Sequence, residues 1–141
     1  MIQFTASGLI KNSYNQFLFV LHKKSGKWIP PGGKVEPNEL QHQACIREVE
    51  EETGITVEII EDKLDIKGES GTIEIPKPFV IRQWQDNDII FVDSMYLCKY
   101  IRGDVKLQIS EIEDYKWLTY EDIKDLDTFD CIKDICRIAY E

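Results

Sequence analysis

Apolar and polar positions along the chain change period several times, and each change marks an element. From Phe4 to Ile10 they alternate loosely, as in a strand with one covered face. Asn12-Ser13-Tyr14-Asn15 is a turn cluster, and Gln16 to His22 is a more continuously apolar run, so the two segments predict a hairpin. Lys23 to Lys27 reads as a polar loop and Trp28-Ile29 as a short apolar touch before Pro30-Pro31-Gly32-Gly33, the strongest breaker in the chain. The period then becomes helical. Leu40, Ala44, Cys45, Ile46 and Val49 share one stripe, with a cap candidate and early acid in Pro37-Asn38-Glu39. Gly54 is suited to end this helix in the left-handed conformation. Ile55, Val57 and Ile59 return to alternation, whereas Glu61 to Lys77 is charged and glycine-containing and predicts only a hairpin or loose connection. Phe79–Trp84, Ile89–Tyr100 and Tyr115–Leu118 predict three more strands. A single closing helix opens at Thr119 or Tyr120 and carries Ile123, Leu126, Phe129, Ile132, Ile135, Cys136 and Ala139. No linker or low-complexity tract interrupts this order, so one mixed α/β domain is expected over residues 1–141.

Composition agrees with such a domain. The 141 residues are 43% hydrophobic and 30% charged, enough for one core and too few for two. Apolar runs such as Phe17-Leu18-Phe19-Val20-Leu21 are far shorter than a bilayer span, and Met1-Ile2-Gln3-Phe4-Thr5 lacks the basic start of a secretory signal. The expectation is a soluble, cytoplasmic monomer or homodimer that does not engage membranes. Cys45, Cys98, Cys131 and Cys136 form no C-x-x-C pair and read as free thiols. A formal net charge of -9 argues against a long nucleic-acid partner, which requires a cationic stripe. It leaves open a small phosphorylated ligand, provided that a divalent cation lies between the two anions.

The acids are concentrated where such a cation would need them. Glu48, Glu51 and Glu52 stand at i, i+3 and i+4 of the predicted helix, and at about 100° per residue they fall on one face. Like charges at that spacing repel by a few tenths of a kcal/mol per pair. By pattern alone two readings stand: a solvated acidic face, or a ligand set for a hard cation. His22 and His42 are not expected to take part, since His42 lies around the helix from the glutamates.

The surrounding residues decide between them. Gly33, Glu39, Arg47-Glu48-Val49-Glu50-Glu51-Glu52, Gly54 and Ile55 fill every fixed position of G-x5-E-x7-R-E-U-x-E-E-x-G-U, where U is aliphatic. This stretch resembles the Nudix box, and the order of elements around it is similar to the Nudix α/β/α sandwich with a central mixed sheet. The resemblance implies a hydrolase that splits the pyrophosphate of a nucleoside diphosphate linked to another group, X. It implies Mg²⁺ as cofactor, with Mn²⁺ as an alternative, and a small nucleotide or diphosphate substrate. By motif position Glu48, Glu51, Glu52 and the Gly32 carbonyl would hold the metal. Arg47 would orient the carboxylates, Glu39 would pair with Arg47, and Glu48 or Glu51 would double as base.

Outside the box the resemblance points to the acidic segment Ser110 to Asp114, with Glu111 as first choice for a further base or ligand and Glu113 as second. A surface acid or cap is the competing reading there. Lys34, next to the double glycine, and Lys27, in a cluster with Lys23 and Lys24, are the phosphate-contact candidates. Trp28, Trp84 and Tyr96 are candidates for stacking on a base, against the alternative of core packing. Val57 to Ile75 contains no Pro or Tyr of the kind that marks family members acting on ADP-ribose or dinucleoside polyphosphates. A modified nucleoside triphosphate or small diphosphate conjugate of the nucleotide pool is therefore the expected substrate. A nucleotide sensor with this fold and no turnover, or an acidic helix matching the box by coincidence, are the alternatives.

Overall fold

The computed structural model describes residues 1–141 and contains eight strands in one sheet. They are β1 (Ile2–Lys11), β2 (Phe17–His22), β3 (Trp28–Ile29), β4 (Gly32–Lys34), β5 (Thr56–Ile59), β6 (Val80–Asp86), β7 (Ile89–Arg102) and β8 (Ile112–Leu118). The helices are α1 (Gln41–Thr53), α2 (Tyr120–Lys124) and α3 (Asp130–Tyr140). The main path runs β3-β2-β1-β7-β5, with β4 on β1, β6 on β7 and β8 on β2. β1 and β7 are parallel, in register from Ile2↔Ile90 to Lys11↔Lys99, and every other pair is antiparallel. The sheet is therefore mixed, as expected.

Helices cover both faces because β1 alternates. Ala6 and Ile10 point into a core shared with Ala44, Cys45 and Val49 of α1. Leu9 points the other way, into a core with Ile123 of α2 and Ile132, Ile135 and Cys136 of α3. Gly8 lies beneath α1, where an added Cβ would sit 3.1 Å from Val49, so the glycine lets the helix approach the sheet closely.

Three sequence expectations change. The β1–β2 hairpin pairs only at its turn, Lys11↔Phe17, and the strands then part. β4 takes the place beside β1, at Thr5↔Lys34 to Ser7↔Gly32, while β2 pairs with β8 and β3. This parting sets the double glycine against the middle of β1. The α1 cap is Leu40, whose N–H donates to Oε1 of Gln43 at 3.1 Å, and not the Pro37-Asn38-Glu39 segment, where Asn38 adopts φ 65° in a turn. The single closing helix is two. α2 stops at Asp125, and the following turn is held by the Asp127 carbonyl, which accepts the Trp28 N–H at 3.1 Å. Tyr96 is buried in the α1-side core, as the packing alternative has it, while Trp84 is 42% exposed and stacks on Phe91 at 5.6 Å. Trp28, partly buried against the α2/α3-side core, has the Lys116 ammonium 4.7 Å from its ring centre.

Candidate active site

The site is built where β4 meets the C-terminal half of α1. At Gly33 a Cβ would lie 2.4 Å from the Glu48 carboxyl carbon, so any side chain there would displace that carboxylate. At Gly32 a Cβ would lie 2.5 Å from the Ala6 carbonyl oxygen. Bare backbone thus lets the strand rest against a glutamate-bearing helix. Gly54 ends α1 at φ 76°, its N–H donating to the Glu50 carbonyl at 2.8 Å.

Arg47 organises the exposed side of this face. Its Nε and Nη2 donate to the two oxygens of Glu39 at 2.7 and 2.9 Å, a bidentate charge-assisted pair. Nη1 donates to Glu48 at 2.9 Å and to Glu51 at 3.2 Å, and Nη2 also reaches the Lys34 carbonyl at 2.9 Å. One guanidinium therefore fixes three carboxylates and the strand. Glu39 is held below the usual carboxylate range, chiefly by the Arg47 hydrogen bonds. Glu48 goes the other way, because burial raises its pKa against the pull of Arg47.

Glu52 is a different case. It is 2% exposed, accepts one hydrogen bond, from the Gly32 N–H at 3.1 Å, and has no basic partner. Burial pushes its pKa up to about 8, and the charges of Glu48, Glu111 and Glu51 add to the rise. Glu111 comes from the chain ahead of β8, which docks on the end of α1. The Lys106 N–H donates to the Thr53 carbonyl and the Gln108 N–H to the Glu52 carbonyl, at 2.8 and 2.9 Å. Ligand atoms of His22, Glu52 and Glu111 lie within 4.8 Å of one another. Glu113 is outside this group.

The donor chemistry fits a hard divalent cation. The buried Glu52 and the exposed Glu111 bring carboxylates together beside His22, while Glu48 and Glu51 are held by Arg47 outside this group, and oxygen-rich, partly hydrated sets of this kind suit Mg²⁺ or Mn²⁺.

Placement of the basic candidates is mixed. Lys34 is exposed beside the box and forms no ion pair. Lys27 is tied to Asp127 at 2.6 Å, so its ammonium faces the α2–α3 connection. Lys23 Nζ donates to the Ile109 carbonyl, which ties β2 to the Glu111 segment. His22 is the residue that sequence reasoning set aside and the fold brings in. No motif marks it; only the β2–β8 pairing carries it there.

The NUDIX domain family model matches residues 1–134. The chain belongs to the Nudix family. This Nudix chain superposes on a NUDIX-family hydrolase from Clostridium perfringens with a TM-score of 0.82, at 27% identity over 96% of this chain and 97% of that one. It is 41% identical over 46 residues to a Bacillus subtilis protein provisionally named 8-oxo-dGTP diphosphatase, covering 33% of this chain and 31% of the relative. It is 24% identical over 106 residues to an RNA pyrophosphohydrolase of Erythrobacter litoralis, covering 72% of this chain and 64% of the relative. The curated relatives are thus matched over less than two thirds of their own lengths, from 11% to 64%. In this Nudix fold no helix is long and apolar enough to cross a membrane.

Proposed function

We propose that the chain is a divalent-metal-dependent pyrophosphohydrolase acting on a nucleoside diphosphate linked to another group, with Mg²⁺ or Mn²⁺ as cofactor. The observation that carries this reading is Glu52: a buried carboxyl with no basic partner, at the end of a complete Nudix box and facing Glu111. Glu48, Glu51, Glu52 and the Gly32 carbonyl would hold the ion. When bound, a divalent cation neutralises charge on the departing phosphate and makes water a better nucleophile.

The chain's own residues then divide the remaining work. Arg47 keeps Glu48 and Glu51 in one orientation, so the carboxylates do not have to be ordered at the moment of reaction. Glu48 suits the role of proton acceptor from the attacking water better than the half-exposed Glu51, because burial brings its pKa closer to neutral. Glu111 supplies a further ligand or base from the opposite wall. Lys34 offers an unpaired ammonium to a phosphate, as a point charge. Lys27 is a weaker candidate, since it must first leave Asp127.

A small nucleotide of the pool, as modified triphosphate or diphosphate conjugate, is the substrate class that fits an acidic chain of this size. The activities named for the Bacillus and Erythrobacter relatives, a diphosphatase and a pyrophosphohydrolase, support the same bond type. The test is a panel of nucleoside triphosphates, oxidised triphosphates and diphosphate conjugates with Mg²⁺, scored for phosphate and pyrophosphate release. Release from at least one class, abolished in Glu52→Gln, is expected. A panel with no metal-dependent release would defeat the reading.

A further inference from the structure

We propose that His22 is a nitrogen ligand of this centre and shifts its choice of ion from Mg²⁺ toward first-row transition ions, of which Mn²⁺ is the probe. The inference rests on the metal-centre reading above and adds to it a donor that the box does not contain.

Position comes from backbone. At the end of β2 the register with β8 steps from Leu21↔Asp114 to His22↔Ile112, so Glu113 is the extra residue of a bulge. Bulges of this type re-aim side chains beside functional sites. On either side of the imidazole the main chain is tied down. The His22 N–H donates to the Lys27 carbonyl at 3.1 Å, the Gly26 N–H to the His22 carbonyl at 2.9 Å, and the Lys23 N–H to the Glu111 carbonyl at 2.9 Å. The last bond holds Glu111 beside His22.

Chemistry comes from what the three groups do not do. His22, Glu52 and Glu111 bring their ligand atoms within 4.8 Å of one another, yet no hydrogen bond or ion pair joins them. Ligands about 2.1 Å from one octahedral ion stand roughly 3.0 Å apart when adjacent and roughly 4.2 Å apart when opposite, so side-chain rotations that draw the three groups together would let them share a cation. Glu52 is the independent element: it is 2% exposed, and its only hydrogen bond, from Gly32, engages Oε1. Mg²⁺ prefers oxygen and gives up water reluctantly, whereas imidazole is a good ligand for transition ions. A mixed His–carboxylate set therefore disfavours Mg²⁺ relative to its transition-metal competitors.

The experiment uses the full chain stripped of metal with chelator and loaded with Mn²⁺ or Mg²⁺. Binding is measured by calorimetry, and ligation by pulsed electron paramagnetic resonance on the Mn²⁺ form. The chain has two histidines, so His42→Asn leaves His22 alone. Nitrogen coupling to Mn²⁺ in wild type and His42→Asn, replaced by the ¹⁵N pattern after histidine labelling, is expected. In His22→Asn the coupling should vanish and the Mn²⁺-over-Mg²⁺ preference should fall. Should His22→Asn fail to fold, the labelled His42→Asn protein decides the matter. Mn²⁺ bound without nitrogen coupling, and lost in Glu52→Gln, would overturn the His22 assignment while keeping the carboxylate centre. No binding of either ion by wild type would overturn the centre itself.

Discussion

The Glu52 carboxylate and the Gly32 N–H meet at 3.1 Å, joining the last turn of α1 to β4, and the buried acid forms no salt bridge. One hydrogen bond offsets only part of the cost of burying a carboxylate, and the neighbouring acids increase that cost. Glu52 is therefore a group that the metal-free fold would sooner hold protonated and that a cation would ionise.

Glu52→Gln keeps the shape and removes the charge. Turnover is expected to fall by at least about a hundredfold, because the deleted oxygen belongs to the proposed metal site. Stability of the metal-free protein at neutral pH should stay level or rise, since an amide costs less to bury than a carboxylate. Steady-state kinetics and urea unfolding on the same preparation check both halves. Retained turnover would contradict the assigned role.

The same residue sets a pH dependence. Its folded pKa of about 8 lies above that of an exposed carboxyl, so between these values the folded state binds more protons than the unfolded state. Stability contributed by this group is then fully present at low pH, declines as pH rises from near 4.5 toward 8, and levels off above. Unfolding in chelator across that window should show a decline on the order of a few kcal/mol that is reduced in Glu52→Gln. Added Mg²⁺ or Mn²⁺ should restore stability most at the high-pH end, where the carboxylate is ionised. An identical pH profile in the variant would refute this account.

Arg47 tests positioning as distinct from charge. Lysine preserves the charge but cannot form the fork that grips Glu39 through Nε and Nη2 while reaching Glu48 and Glu51 through Nη1. In Arg47→Lys, kcat should fall roughly tenfold or more with KM changed less, and thermal stability should drop by about 1–2 kcal/mol. Equal activity in the lysine variant would show that only net charge matters at this position.

The box is legible because its chemistry is contained in one motif: spacing on one helix puts Glu48, Glu51 and Glu52 on one face, and Gly33 and Glu39 belong to the same stretch as their partners Glu48 and Arg47. Glu111 could be named only by resemblance, since its approach to Glu52 depends on the Lys106 and Gln108 hydrogen bonds to the end of α1. His22 could not be found at all from local pattern. Its place depends on a strand pairing and a bulge, and a one-residue change in either would turn the side chain elsewhere. The β1–β2 hairpin is confined to its turn for a related reason. The turn residues Asn12 to Asn15 do form a turn, with the Gln16 N–H donating to the Asn12 side chain at 3.0 Å, yet long-range partners claim both strands beyond it. The closing helix reads as one because Ile123, Leu126, Phe129 and Ile132 recur every third residue across the break at Asp125.

Gly33→Ala asks whether close backbone approach matters for function. The new methyl would overlap the Glu48 carboxyl, 2.4 Å away, so either β4 retreats from α1 or the carboxylate swings off Arg47. The gentler adjustment is the side chain, which is a flexible tip while the strand is fixed to Ala6 of β1. Activity and metal affinity should therefore fall by about tenfold or more, while stability changes by no more than about 1–2 kcal/mol. A large loss of stability with unimpaired metal binding in the remaining folded protein would mean that the backbone yields and that Glu48 keeps its place.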